Sequence, residues 1–141
     1  MGSKSRANDH ASCVAAWRRR VAADGSPAAL LRAFERGFRA VWRRAHVTLG
    51  DITLTAIGDR ILHDAADVYP LLGSVRLEPT GISCDALDRD AALDRDELGE
   101  AMEMVLVDFL TVVGRLTGDV LTPALHAELD ADCDADEGSG P

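Results

Sequence analysis

The chain is predicted to be mainly α: a helical bundle of three to four helices around a long central C-terminal helix, with one β-hairpin. Three observations predict it. Apolar residues recur at helical steps in three stretches, 30–42, 54–68 and 98–120. Each of these stretches opens on a residue pattern that starts helices. The clearest alternation of apolar and polar residues lies between them, near 74–85.

In chain order, residues 1–12 are small and polar, and Cys13 to Ala23 suits two or three helical turns, with Val14, Trp17 and Val21 on one side. A helix that short is marginal alone and has to dock. Asp24-Gly25 ends it. Ser26 as N-cap and Pro27 as first helical residue open the next helix. Leu30, Leu31, Phe34, Phe38, Val41 and Trp42 form its apolar stripe, and arginines occupy the other side.

His46 to Gly50 is a break, and Thr48 with Asp51 repeats a capping pattern. From Asp51 the stripe Leu54, Ile57, Ile61, Leu62, Ala65 and Val68 runs to Tyr69, where Pro70 stops the helix. Val75 and Leu77 alternate with Arg76 and Glu78, and Ile82 and Cys84 with Ser83 and Asp85. Glu78-Pro79-Thr80-Gly81 supplies the turn. Asp85 to Leu93 allows one short helix. The last long helix starts at Asp94, with Glu97 three residues on, and runs to Leu121. Between Met104 and Val113 it is apolar on nearly every side, which calls for burial against several neighbours or against a second copy of the chain. Met102, Val105, Phe109, Val112, Val113 and Leu116 are the expected core or dimer-interface residues. Thr122-Pro123 restarts a helix of about two turns to Leu129. These signals divide the chain into a flexible basic segment (1–25), one helical domain (26–129) and a disordered acidic tail (130–141).

Composition narrows the function more by exclusion than by assertion. At 141 residues and 47% apolar content the chain suits one globular domain with its own core. No apolar run reaches the ~18 residues of a membrane span, and the N-terminus lacks a signal-peptide core, so a cytoplasmic location is expected. Rich Arg, Ala and Asp usage beside a single lysine fits a GC-rich bacterial gene. Three distant cysteines, Cys13, Cys84 and Cys133, make neither a disulfide framework nor a zinc motif.

Charge is divided unevenly. Residues 1–44 hold ten Lys/Arg against three acids and residues 45–141 five against 21, which gives +7, −16 and the net −9. Arg18, Arg19, Arg20, Arg32, Arg36, Arg39, Arg43 and Arg44 are the expected basic partner face.

No catalytic, cofactor-binding or metal residue is nominated. Asp130, Asp132, Asp134 and Asp136 lack the Gly and the Glu of a calcium loop, with Ala135 and Pro141 in their places. His63, followed by Asp64, is not followed by the basic and small residues of a phosphoacceptor motif. His126 has Asp130 four residues on, two ligands at most where zinc needs three or four; His10 and His46 have no companions. Asp108 interrupts the most apolar turn; it is expected to face solvent or to pair with Arg115 or an arginine of the Pro27 helix, and in the sharper reading it fixes dimer register. Gly99, Gly114 and Gly118 suggest close packing along that helix. No nucleophile elbow, phosphate loop, H-E-x-x-H or C-x-x-C is present.

The expected function is a non-enzymatic cytoplasmic interaction or regulatory module, homodimeric, that binds a partner protein. Two alternatives stand beside it. One is nucleic-acid contact through the arginine-rich N-terminal helices. The other is a sensor with an apolar cavity lined by Phe34, Phe38, Ile57, Ile61 and Phe109.

Overall fold

A computed structural model describes residues 2–21, 27–79, 81–84 and 94–138. Helices α1 (Gly2–Val21), α2 (Pro27–Val68), α3 (Arg95–Thr117) and α4 (Thr122–Gly138) carry most of this chain. A 3-10 turn (Pro70–Ser74) and a two-stranded antiparallel sheet of β1 (Arg76–Glu78) and β2 (Gly81–Ser83) lie between α2 and α3. The stop at 24–25, the Ser26 cap, Thr80 of the turn and the short helix over 85–93 fall outside the described residues.

The longest element is α2, at 42 residues, rather than the C-terminal helix that the periodicity favoured. It is not straight. Gly50 adopts φ 80 and ψ 171, outside the helical region and in a conformation that glycine alone enters cheaply. A Cβ built on Gly58 would lie 3.0 Å from the Trp42 ring, yet those residues would stand about 24 Å apart on one straight helix. The two limbs, 27–49 and 51–68, therefore fold back on each other about Gly50. This is the break expected from His46 to Gly50. His46 Nε2 and Asp51 Oδ1 meet across it. Tyr69 and Pro70 end the second limb, with the Tyr69 N–H still bonded to the Ala65 carbonyl.

The hairpin pairs Arg76 with Ser83, Leu77 with Ile82 and Glu78 with Gly81. Two strands of three residues are too short to stand alone, and α2 supports them. Leu77 lies on Gly58, Gly81 approaches the Arg39 backbone, and the Glu35 carboxylate accepts a 2.7 Å bond from the Cys84 N–H.

Helix α3 begins as expected: the Asp94 carboxylate accepts from the Asp96 and Glu97 N–H groups at 2.9 and 3.5 Å. It ends four residues short of Leu121, because Gly118 turns into the left-handed region and its N–H caps the Gly114 carbonyl. Asp119 is left-handed as well, with φ 63. The chain then reverses into α4, which runs through residues 130–138, a span the sequence assigned to the tail. Likewise α1 starts at Gly2, ahead of the expected helix over 13–23.

The core is one cluster. Phe38 contacts Phe34, Trp42 and Phe109 at ring distances of 6.1, 5.9 and 5.1 Å, and Trp42 stacks on Phe109 at 6.0 Å. Val14 and Trp17 bring α1 onto this cluster, and Leu121 just ahead of α4 with Leu125 and Leu129 within it brings α4. Buried aromatics of this size dominate core energetics, each removing about 150–250 Å² from water. Gly37 makes room for the Trp17 ring, since a Cβ there would come within 2.6 Å of it.

Candidate functional site

The two residue sets nominated from sequence have different fates. Met102, Val105, Phe109 and Val113 are wholly enclosed by the chain's own helices, so the two-sided apolar helix is satisfied inside one molecule. Val112 is partly buried, and Leu116 is 57% exposed.

The eight arginines do not form one face. Arg18 turns toward α3, where it pairs with Glu103 at 3.3 Å and its guanidinium lies over Gly99. The close approach at Gly99 is thus to an arginine of α1. Arg19 and Arg20 are exposed near the end of α1. On α2, Arg32, Arg36, Arg39 and Arg43 follow one another at steps of four, three and four, which keeps them on one stripe. Arg44 is exposed but about 100° further round the helix. Arg32, Arg39 and Arg43 are exposed, and among the described residues no ion pair joins them to a carboxylate.

This stripe ends in a hollow. A cavity of 310 Å³ is lined by Arg39, Trp42, Arg43, His46, Val47 and Pro79. Its floor is the edge of Trp42, which is 2% exposed and donates its indole N–H to the Pro79 carbonyl at 3.1 Å. That bond ties the hairpin turn to the helix and fixes the far wall. His46 is held by Asp51 across the Gly50 bend, and Val47, at 82% exposure, forms an uncovered apolar rim. On the other side of Pro79 lies a second hollow, lined by Asp51, Thr55, Asp59, Leu77, Glu78 and Pro79. The Pro79 turn thus separates a cationic hollow from an anionic one.

Two sequence readings of polar residues change, those of Asp108 and of the His10 and His126 rings. Asp108 is half-buried on α3 and has no ion pair to Arg115 among the described residues. Its carboxyl titrates above the ordinary range, first because burial disfavours the charge and second because Asp64 adds a like charge. His63 is exposed, and its neighbour Asp64 pairs with Arg60 at 3.0 Å. His10, read without a companion, and His126, read with Asp130 at most, meet: His10 Nδ1 lies 2.9 Å from His126 Nε2, and His10 is 3% exposed. No local spacing could reveal a pair 116 residues apart. Their only sequence trace is one histidine on each of two helices that have to dock.

Among the described residues no group of three or more His, Cys, Asp or Glu side chains is gathered as a metal site. No helix there is long and apolar enough to cross a membrane. No family model matches the chain, and neither a curated protein nor a solved structure matches it.

Proposed function

We propose that the protein is a non-enzymatic cytoplasmic interaction module that holds a partner protein on the arginine stripe of α2. One observation carries this reading. In a chain with 24 acidic residues and a net charge of −9, Arg32, Arg39 and Arg43 share a stripe with no ion pair to a carboxylate among the described residues. A solvated cationic stripe on an acidic molecule gives specificity and a fast encounter with a short acidic surface.

The anionic hollow beside it argues for protein over nucleic acid. A polyphosphate backbone carries charge at every step and would cross Asp51, Asp59 and Glu78 as it left Arg39 and Arg43. The apolar-ligand sensor is disfavoured because Phe34, Phe38 and Phe109 are fully buried and in ring contact where a ligand would sit.

Binding of a labelled hexaglutamate peptide, short enough to end on the stripe, and of duplex DNA, followed by fluorescence anisotropy at low and physiological salt, tests the reading. The hexaglutamate should bind the wild type and be released by Arg39→Glu/Arg43→Glu. Failure to bind at low salt overturns the proposal, and tighter binding of duplex DNA puts the nucleic-acid alternative in its place.

Homodimerisation remains part of the proposal on a narrower basis than the sequence offered. Leu116 at 57% and Val120 at 77% exposure, with Val112 beside them in sequence, are the apolar side chains left for a second copy near the α3–α4 turn. Absolute mass by light scattering should give a dimer that Leu116→Asp converts to monomer. A monomeric wild type removes this element and leaves the arginine stripe untouched.

A further inference from the structure

We infer that the hollow at the end of the α2 stripe is an anchor pocket for one apolar side chain, flanked in the partner by carboxylates that pair with Arg39 and Arg43. This rests on the arginine-stripe reading above and names the chemistry of its partner: a short acidic protein segment with an aromatic or branched aliphatic residue at its centre.

The pocket is built for an apolar group. Trp42, at its base, is 2% exposed and has already committed its N–H to the Pro79 carbonyl, so no indole donor faces an occupant. Pro79 has no N–H to offer, and Val47 adds an uncovered apolar wall. The pocket is also preformed. Trp42 is clamped between Phe38, Phe109 and the Gly58 surface, and Gly81 sits against the Arg39 backbone, so neither helix nor hairpin can close the space without disturbing the core. Preformed concavity with few polar groups at the edge is the usual form of a binding site, and 310 Å³ stands at its small end, enough for one side chain.

The rim selects charge. Arg39 and Arg43 are four residues apart, so their side chains leave the helix about 5–6 Å from each other at Cβ. That spacing suits carboxylates on either side of a buried residue, each able to accept two parallel N–H bonds from a guanidinium. Asp51, Asp59 and Glu78 across the Pro79 turn limit how far the acidic run extends, and they favour a neutral or basic continuation. Such a segment satisfies both hollows; a uniform polyanion satisfies one.

The 141-residue chain is titrated into two fluorescein-labelled peptides, Asp-Glu-Asp-Phe-Asp-Glu and the same peptide with Ser for Phe, with duplex DNA as a third probe. The Phe peptide should bind roughly tenfold more tightly than the Ser peptide, the scale expected for removing one aromatic side chain from water. Val47→Ser should shrink this preference several-fold while leaving the Ser peptide's affinity unchanged. Arg39→Glu/Arg43→Glu should abolish binding of both. All three side chains lie at the surface, and an unchanged far-ultraviolet spectrum verifies the fold. Equal affinity for the two peptides overturns the anchor pocket and leaves the arginine reading standing. Failure of both peptides to bind overturns the two together, as does duplex DNA binding more tightly than either.

Discussion

His10 Nδ1 and His126 Nε2 lie 2.9 Å apart, their rings at 85° with centroids 5.0 Å apart, and this contact fastens α1 to α4. At this distance one ring donates and the other accepts, so the tautomers of the two rings are coupled. Gly114 leaves the space for the junction: a Cβ there would come within 2.9 Å of Asp119 Oδ1 and 3.8 Å of His10 Nε2. The Thr122 hydroxyl donates to the same Asp119 carboxylate at 3.0 Å, which holds the turn beneath the rings.

Replacing one member of the pair removes this contact from the α1–α4 junction. His10→Ala or His126→Ala should each cost about 1–3 kcal/mol, from the lost hydrogen bond and the lost packing at the junction. Denaturant midpoints measure the loss, and hydrogen exchange should show α1 amides deprotected first. If the single variants melt with the wild type, the pair contributes nothing to docking.

Asp108 should make stability depend on pH in the direction opposite to most carboxylates. Its folded-state pKa lies above the ordinary 3.8, so the native state holds the proton more tightly than the unfolded chain. At pH well below 3.8 both states are protonated and Asp108 imposes no penalty; the penalty grows as pH rises through 3.8 toward the folded value and stays constant beyond it. Asp108→Asn should therefore raise the melting temperature at pH 7 and lose that advantage in acid. Asp64→Asn should recover only the smaller share that comes from like charge. An Asn variant no more stable than the wild type at neutral pH would contradict this.

Gly37→Ala tests the seat of α1. The added methyl would sit 2.6 Å from the Trp17 ring, and an indole in a packed core cannot step aside by rotating one flexible end. Overpacking of this kind costs about 1–3 kcal/mol. A red shift of Trp17 fluorescence with the rest of the fold intact is the expected readout, best seen with Trp42 replaced by Phe in both proteins.

Gly50 carries the bend rather than a packing contact, since nothing lies within 4 Å of a Cβ built there. Gly50→Ala should still destabilise by about 1–3 kcal/mol, because φ 80 with ψ 171 is backbone that only glycine occupies without strain. Gly73→Ala, at an equally open site without positive φ, is the control and should be close to neutral. Equal effects at the two sites would remove backbone strain as the cause.

Much of this architecture was legible because its causes are local. The Asp94 cap, the stop at Pro70, the break before Asp51 and the 76–83 hairpin each follow from residues within one turn of each other. What escaped depends on distance or on position along an element. Leu116 has the right helical phase for the core and is exposed nonetheless, because Gly118 ends the helix and the stripe outruns its neighbours there. The first turns of α1 look like solvated tail until Trp17 finds Gly37 and His10 finds His126. The arginine stripe was visible as residue types, but its hollow was not, because Pro79 reaches Trp42 only once the hairpin has folded over α2.

The Gly50 bend also divides the folding reaction between two reporters. Trp42 meets Gly58 only sixteen residues along the chain, a loop cheap to close, whereas the His10–His126 contact spans 116 residues. The α2 hairpin should therefore assemble first and present the surface onto which α1 and α4 condense. In stopped-flow refolding of single-tryptophan variants, Trp42 would report the early phase and Trp17 the late one. Identical time courses would mean that the chain closes in a single step.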